Sequence, residues 1–318
     1  MITYIIRRLI QGILVLLVVS ILVFGAMRFL PGDPLMLYIA QTQLDTFSPD
    51  QMNALKQQYG LDKSVPAQYF DWIRGILKGD FGTSIFYSEK VSKLLAERLP
   101  VTFYVGVFAF LVSGVVGITA GVVCAVRRGR WLDTTVTVLA NLGITTPGFW
   151  LGILLIYIFG FKLRLFPVVG YTSPFVDLWM STKQLVMPVI CLSVAPIASL
   201  ARQTRSSMLE VVHQDYIRTA WSKGLRERAI IMRHTIKNGL IPVVTILGMQ
   251  VRNIFGGAVL IETVFNIPGI GRLLVQATFG QDYQVVQAGV LVLATVVMLS
   301  NLIVDLSYGW LDPRIRYG

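Results

Sequence analysis

Residues 101–126 read VTFYVGVFAFLVSGVVGITAGVVCAV, 26 consecutive positions without an aspartate, glutamate, lysine or arginine. A hydrocarbon layer about 30 Å thick is crossed by roughly 20 apolar residues in a helix, so this run predicts a membrane-spanning helix. Working outward, similar runs occupy 9–27, 134–161, 184–201, 238–261 interrupted only by Arg252, and 283–304. The run at 184–201 is short and carries Pro188 and Pro196, which a membrane helix tolerates when neighbours satisfy the freed carbonyls. The expected fold is therefore all-α, a polytopic membrane protein with about six transmembrane helices.

Composition agrees with that reading. Charged residues make up 14% of the 318 and hydrophobic residues 54%, whereas a soluble domain carries about a quarter charged residues. The formal charge of +11 does not point to nucleic acid, because the basic residues fall in short segments between apolar runs, where bilayer orientation accounts for them. Cys124 and Cys191 lie inside expected spans and read as small core residues. The first span follows Arg7 and Arg8 as a signal peptide would, yet it exceeds the usual 7–15 apolar residues and no small-residue cleavage site follows, so a retained anchor is expected.

Orientation follows from lysine and arginine in the short loops. With the N-terminus inside, that side carries Arg7 and Arg8, then Arg127, Arg128 and Arg130, then eight basic residues in 202–237, then Arg314 and Arg316. The opposite short loops carry Lys162, Arg164, Lys183 and Arg272. Both termini are expected in the cytoplasm. Residues 1–30 form an N-terminal transmembrane helix, 31–100 an external cap with a helix at 48–59 opened by Ser48 before Pro49, 101–310 a core of five transmembrane helices, and 311–318 a cytoplasmic tail.

The loop 202–237 holds eight basic and three acidic residues. Leu209, Val212, Tyr216 and Ala220 recur at helical spacing, Gly224 breaks the pattern, and 226–234 resumes it, so two short helices with a glycine-marked bend are expected. An apolar stripe on a basic loop of this length favours docking to a soluble partner. Within the spans Arg252 is the plainly ionisable residue, costing about 2.5–3.5 kcal/mol on insertion scales unless it meets water or a partner. With Gln250 and Asn253 it marks a polar face and a candidate pathway lining.

Residues 215–225, DYIRTAWSKGL, followed by RHTIKNGLIPVV at 233–244, resemble the cytoplasmic loop of ABC importer permeases. PGDP at 31–34, YGLD at 59–62, GDFGTS at 79–84, ETVFNIPGIGRLL at 262–274 and LDPRIRY at 311–317 look like the peptide and nickel subfamily, in order along nearly the whole chain. The family loop carries an E-A-A, three residues, G pattern. Aligning Gly224 places Arg218, Thr219 and Ala220 on its first three positions, so the glutamate is absent here, and the downstream I-x-L-P also departs at Ile241 and Pro242.

The resemblance implies a type I ABC importer permease fold in a bacterial or archaeal inner membrane. It implies that 202–237 is a coupling loop, with Asp215, Tyr216, Arg218, Thr219, Ala220 and Gly224 at a groove of a cytoplasmic ATPase. Tyr216 and Ala220 then share one face, and Ala220 and Gly224 allow close approach. The implied partners are a second, homologous permease, two ATPase subunits that bind ATP and Mg, and an external solute-binding protein. Dipeptides, oligopeptides, glutathione and chelated nickel all fit such an architecture.

The chain contains no G-x-x-x-x-G-K-[ST] phosphate loop, so hydrolysis is expected in another subunit and this chain is not expected to be an enzyme or to hold a cofactor. No catalytic constellation and no metal-ligand spacing is seen: His213 and His234 both lie in the 202–237 loop, and Asp33, Asp62, Asp71 and Asp80 are dispersed. A proton-coupled secondary transporter would carry carboxylates or histidines in its spans, which here hold essentially none. A channel would work without ATPase partners.

Overall fold

The computed structural model describes residues 2–29, 50, 53, 56, 57 and 61–311, with side chains between 4 and 304. The motif at 31–34, the 311–317 motif after Leu311, with Arg314 and Arg316, and the Ser48 cap with Pro49 lie outside the described residues, as do Tyr59 and Gly60 of the 59–62 motif. Within 48–59 the described positions 50, 53, 56 and 57 are helical. The chain order is α1 (Ile2–Phe29), α2 (Val65–Leu77), α3 (Val91–Val126), α4 (Trp131–Thr145), α5 (Gly148–Leu155) running on through a π-helical turn to Lys162, and α6 (Leu178–Val212). Then follow α7 (Asp215–Ser222), a string of short helical turns over Glu227–Gly239, α8 (Ile241–Val264), α9 (Ile270–Phe279) and α10 (Tyr283–Leu311). Among the described residues five helices are long and apolar enough to cross a membrane, or six when α4 and α5 count as one broken span.

That broken span corrects the expected continuous run over 134–161. The two halves meet at 103°. Pro147 is the cause: a proline excludes the residue before it from the helical region, and Thr146 is extended at φ −83°, ψ 120°, followed by Pro147 at φ −62°, ψ 130°. A second correction concerns 202–237, because its first eleven residues continue α6 to Val212. No breaker interrupts them, and Thr204, Ser207 and Met208 are buried. α6 is opened by Asp177, whose side chain accepts a hydrogen bond from the Met180 amide at 2.9 Å. Pro188 and Pro196 sit inside it without ending it.

The chain divides into two compact units, and the expected single core over 101–310 is redrawn accordingly. One unit comprises Ile6–Val101 and Pro268–Val296. Val91, Leu94 and Leu95 of the first turns of α3 bury against Ile270, Leu273 and Ala277 of α9 and Val285 of α10. The i, i+3, i+4 spacing of that apolar trio is why α3 begins ten residues before the uncharged run. Asp282, fully buried, ties the unit together: its carboxylate accepts from the Ser84 hydroxyl at 2.5 Å and from the Phe86 and Val285 amides at 3.2 and 3.3 Å. Burial pushes its pKa up, and these hydrogen bonds pull it back.

The other unit comprises Met1–Ile5, Thr102–Ile267 and Val297–Gly318. α6 is its centre, contacting α4, α5 and α8. Contact with α3 is made through glycines one turn apart. A Cβ on Gly117 would stand 2.8 Å from Leu200 Cβ, and one on Gly121 would stand 2.5 Å from Thr204 Cβ and 2.6 Å from the Ala201 carbonyl oxygen. Gly143 of α4 meets Val194 of α6 in the same way, at 2.9 Å. Lipid tails are as apolar as leucine, so helices in a bilayer associate by close van der Waals approach, which small residues permit. Ser193 of α6 adds a buried hydrogen bond to the Ala109 carbonyl of α3 at 3.1 Å.

Candidate functional site

The segment after α6 builds a short helix with two unlike faces. α6 stops at Val212, Gln214 is extended at φ −75°, ψ 149°, and α7 starts at Asp215, whose charge suits a helix N-terminus. Gly224 ends the segment in the left-handed region at φ +71°, with its amide on the Trp221 carbonyl at 2.9 Å. A residue with a Cβ is strained there. Among the described residues nothing lies within 4 Å of a Cβ built on Gly224, so within the chain its role is to turn the backbone.

Ile217 and Ala220 are buried, 1% and 5% exposed, against Ile230 and Val211. This corrects the expected face. Ala220 points into the chain's own core, and its small size serves the seat of α7. Tyr216 remains 43% exposed, with its hydroxyl accepting from Asn238 Nδ2 at 3.2 Å. Arg218, Thr219, Trp221 and Ser222 are exposed. Arg218 approaches Asp215 at 3.6 Å, but both side chains are largely in solvent, where such a pair contributes little. His213 is engaged locally, its Nδ1 at 2.6 Å from the Leu209 carbonyl.

The second feature is a cavity of about 360 Å³ in the unit centred on α6. Gln250, Asn253 and Gly257 of α8 line it together with Pro196, Ser199 and Arg202 of α6. Gln250 is 5% exposed, and its Oε1 accepts from Asn253 Nδ2 at 3.1 Å. The expected polar face is thus divided. Gln250 and Asn253 line the cavity, while Arg252 does not and lies on the exposed side of α8 near Met249 and Gly256. Arg202, counted from the sequence as a loop residue, supplies the one formal charge among the described residues of the lining. Only the continuation of α6 past Ala201 could have revealed it.

Two buried polar pairs were not legible as such. Asp133, 5% exposed, receives Arg205 Nε on Oδ1 at 2.6 Å, Arg205 Nη2 on Oδ2 at 2.9 Å and the Gly129 amide at 3.0 Å. This two-pronged pair fixes the start of α4 to the end of α6 just before α7. Glu262, fully buried in the last turn of α8, accepts from the Thr102 hydroxyl at 2.6 Å, so the spans are not as free of carboxylates as expected. Among the described residues no three His, Cys, Asp or Glu side chains stand close enough to hold a metal ion.

Replacing Asp133 with asparagine keeps the shape and removes the charge. Breaking a buried pair costs about 3–5 kcal/mol when both partners are dry. The Arg205 side chain is 33% exposed, and solvent screening lowers the expected loss to about 1–3 kcal/mol. Thermal unfolding of the purified chain measures it. Arg205→Lys, with Asp133 kept, is expected to retain only part of the pair's contribution to stability, because an ammonium cannot fork.

Residues 117–317 match the family model described as binding-protein-dependent transport system inner membrane component, and residues 1–106 match the N-terminal model of the same transport-system membrane components. A peptide transport system permease protein of Brucella abortus (strain 2308) is 42% identical over 316 residues, covering 98% of each chain. A dipeptide transport system permease protein of Alkalihalophilus pseudofirmus is 37% identical over 338 residues, covering all of both. Among solved structures, a chain of the MetNI methionine ABC transporter in an inward facing conformation matches with TM-score 0.57 at 18% identity, over 69% of this chain and 96% of that one. That match concerns the fold.

Proposed function

Because the chain belongs to the family of binding-protein-dependent transport system inner membrane components, we propose that it is the permease subunit of an ATP-driven importer of di- or oligopeptides. The cargo reading rests on full-length relatives named as peptide and dipeptide permeases, which favours peptides over a nickel chelate or glutathione. The observation that carries the mechanism is α7: a short helix seated by Ile217 and Ala220 on the permease, presenting an exposed polar and aromatic face. Such a helix suits the groove of a cytoplasmic ATPase. In this reading two ATPase subunits bind ATP and Mg, and a second permease and an external binding protein complete the assembly.

The seat determines how motion travels. α7 follows α6 after a two-residue break, and Asp133 with Arg205 fixes the neighbouring end of α6 to α4. A push on α7 is therefore carried by α6 as a rigid body, and α6 also lines the Gln250 and Asn253 cavity. Alternating access needs such a rigid element with two arrangements. The exposed Arg252 would meet water or the second permease, since the hydrocarbon layer disfavours it by about 2.5–3.5 kcal/mol.

Reconstitution tests this reading. The full chain, purified from membranes with its bound subunits and placed in vesicles with the binding protein, is expected to import a labelled dipeptide only when ATP is supplied. Import driven by a proton gradient without ATP would overturn it in favour of a secondary transporter. Orientation is tested separately by single cysteines in intact cells. A membrane-impermeant thiol reagent is expected to label positions Gln57 and Ser173 and to spare Ser222, and labelling at Ser222 would place α7 on the wrong side for an ATPase.

A further inference from the structure

The unit formed by Ile6–Val101 and Pro268–Val296 contains a second cavity, of about 310 Å³, whose described lining includes no residue of α7 or of the Gln250 cavity. Its wall gathers buried polar atoms that lack partners. Among the described residues eight buried side-chain nitrogen or oxygen atoms have no hydrogen bond, and five of them belong to residues lining this one cavity. Three are donors: Arg28 Nε, Trp72 Nε1 and Gln287 Nε2. Two are acceptors: Gln68 Oε1 and Gln284 Oε1. Gln287 is 3% exposed.

A buried donor or acceptor left without a partner costs about 1–3 kcal/mol, and native interiors hold few. Five around one space therefore point to an occupant. The surroundings narrow its chemistry. Arg28 is held over the rings of Phe24 and Tyr283 at 5.1 and 4.9 Å, which fixes the guanidinium at the wall. Among the described residues the lining holds Arg28 and Lys63 against Asp71 and Asp80, whose formal charges cancel. Lys63 is bound to Asp71 at 2.6 Å, and Asp80 accepts from the Gly82 amide at 2.9 Å. A net cation or net anion gains little there. A group with anionic oxygens for the three N–H donors and an amine for the two carbonyl acceptors satisfies all five. The volume is at the lower end of small-molecule pockets.

We propose that this cavity binds a small zwitterion, an anionic oxygen group paired with an ammonium, through Arg28, Trp72 and Gln287 on one side and Gln68 and Gln284 on the other. Two sources carry that chemistry: a free amino acid or short peptide, and the headgroup of an aminophospholipid at the membrane surface. The proposal does not depend on transport or on the ATPase reading.

Calorimetric titration of the full chain, purified in detergent with its bound subunits and without nucleotide, tests it. Alanyl-alanine and glycerophosphoethanolamine, a phosphodiester whose charges cancel, are the two probes, and N-acetyl-alanine amide, which lacks both charges, is the control. Binding of alanyl-alanine supports the free zwitterion, and binding of glycerophosphoethanolamine alone supports the headgroup. In either case Trp72→Phe and Gln287→Leu, which each remove one donor, are expected to weaken binding about tenfold. Trp72 lies on the half-exposed helix α2, so its phenylalanine variant keeps the test readable if Gln287→Leu fails to fold. Heats no larger than the control's, or affinities unchanged in both variants, would overturn the proposal and leave the cavity to water.

Discussion

Gly121→Leu is expected to prevent accumulation of the folded chain in the membrane. The position is closed on two sides: an added Cβ would stand 2.6 Å from the Ala201 carbonyl oxygen and 2.5 Å from Thr204 Cβ. Backbone cannot swing aside as a side-chain end can, so α3 and α6 would have to part. Overpacking typically costs about 1–3 kcal/mol where a core can relax, and here a whole helix contact is lost, including the Ser193 bond to Ala109. Gly114→Ala on the same helix is the control, because its Cβ would meet only the tip of Leu247 at 3.4 Å. Membrane levels and size-exclusion profiles of the two variants measure the difference. Normal accumulation of Gly121→Leu would mean that α3 and α6 are not held at this distance.

Ala220→Trp is expected to reduce peptide import at least about tenfold while the chain still inserts. Its seat is small, with Ile217, Ala220 and Ile230 buried and Val211 beside them, and an indole there exceeds the space by far more than a methylene. The spans lie elsewhere, so the damage falls on α7. Thr219→Trp separates seat from contact, because Thr219 is exposed and its neighbour Ala220 is not. If the outward face enters an ATPase groove, Thr219→Trp also blocks import, with ATPase subunits lost on purification while the permease keeps its thermal stability. Ala220→Trp lowers both. Import at the parental rate in both variants would remove α7 from the coupling path.

The long uncharged runs determined by themselves that the chain spans a membrane, because the cost of a charge in hydrocarbon leaves a sequence mark that no tertiary contact can reverse. They also located the helices, for each satisfies its own backbone hydrogen bonds within the run. The end of the short helix at 215–222 was legible too, from Gly224; its start was not, because the stripe read from Leu209 to Ala220 runs across the break between Val212 and Asp215.

Tertiary structure decided which way those helices face. Tyr216 and Ala220 share a helical stripe in the sequence, yet only the partner surface of Ile230 and Val211 turns Ala220 inward and leaves Tyr216 half in solvent. Arg252 is the charge that stands out in its run, yet the cavity takes Gln250, Asn253 and Arg202. Asp133 and Arg205 are 72 positions apart, and neither is remarkable until α4 and α6 meet. Burial and pairing are properties of surfaces brought together from distant segments. Local periodicity records only what one segment needs for itself, and so it specifies the helices here but not their contacts.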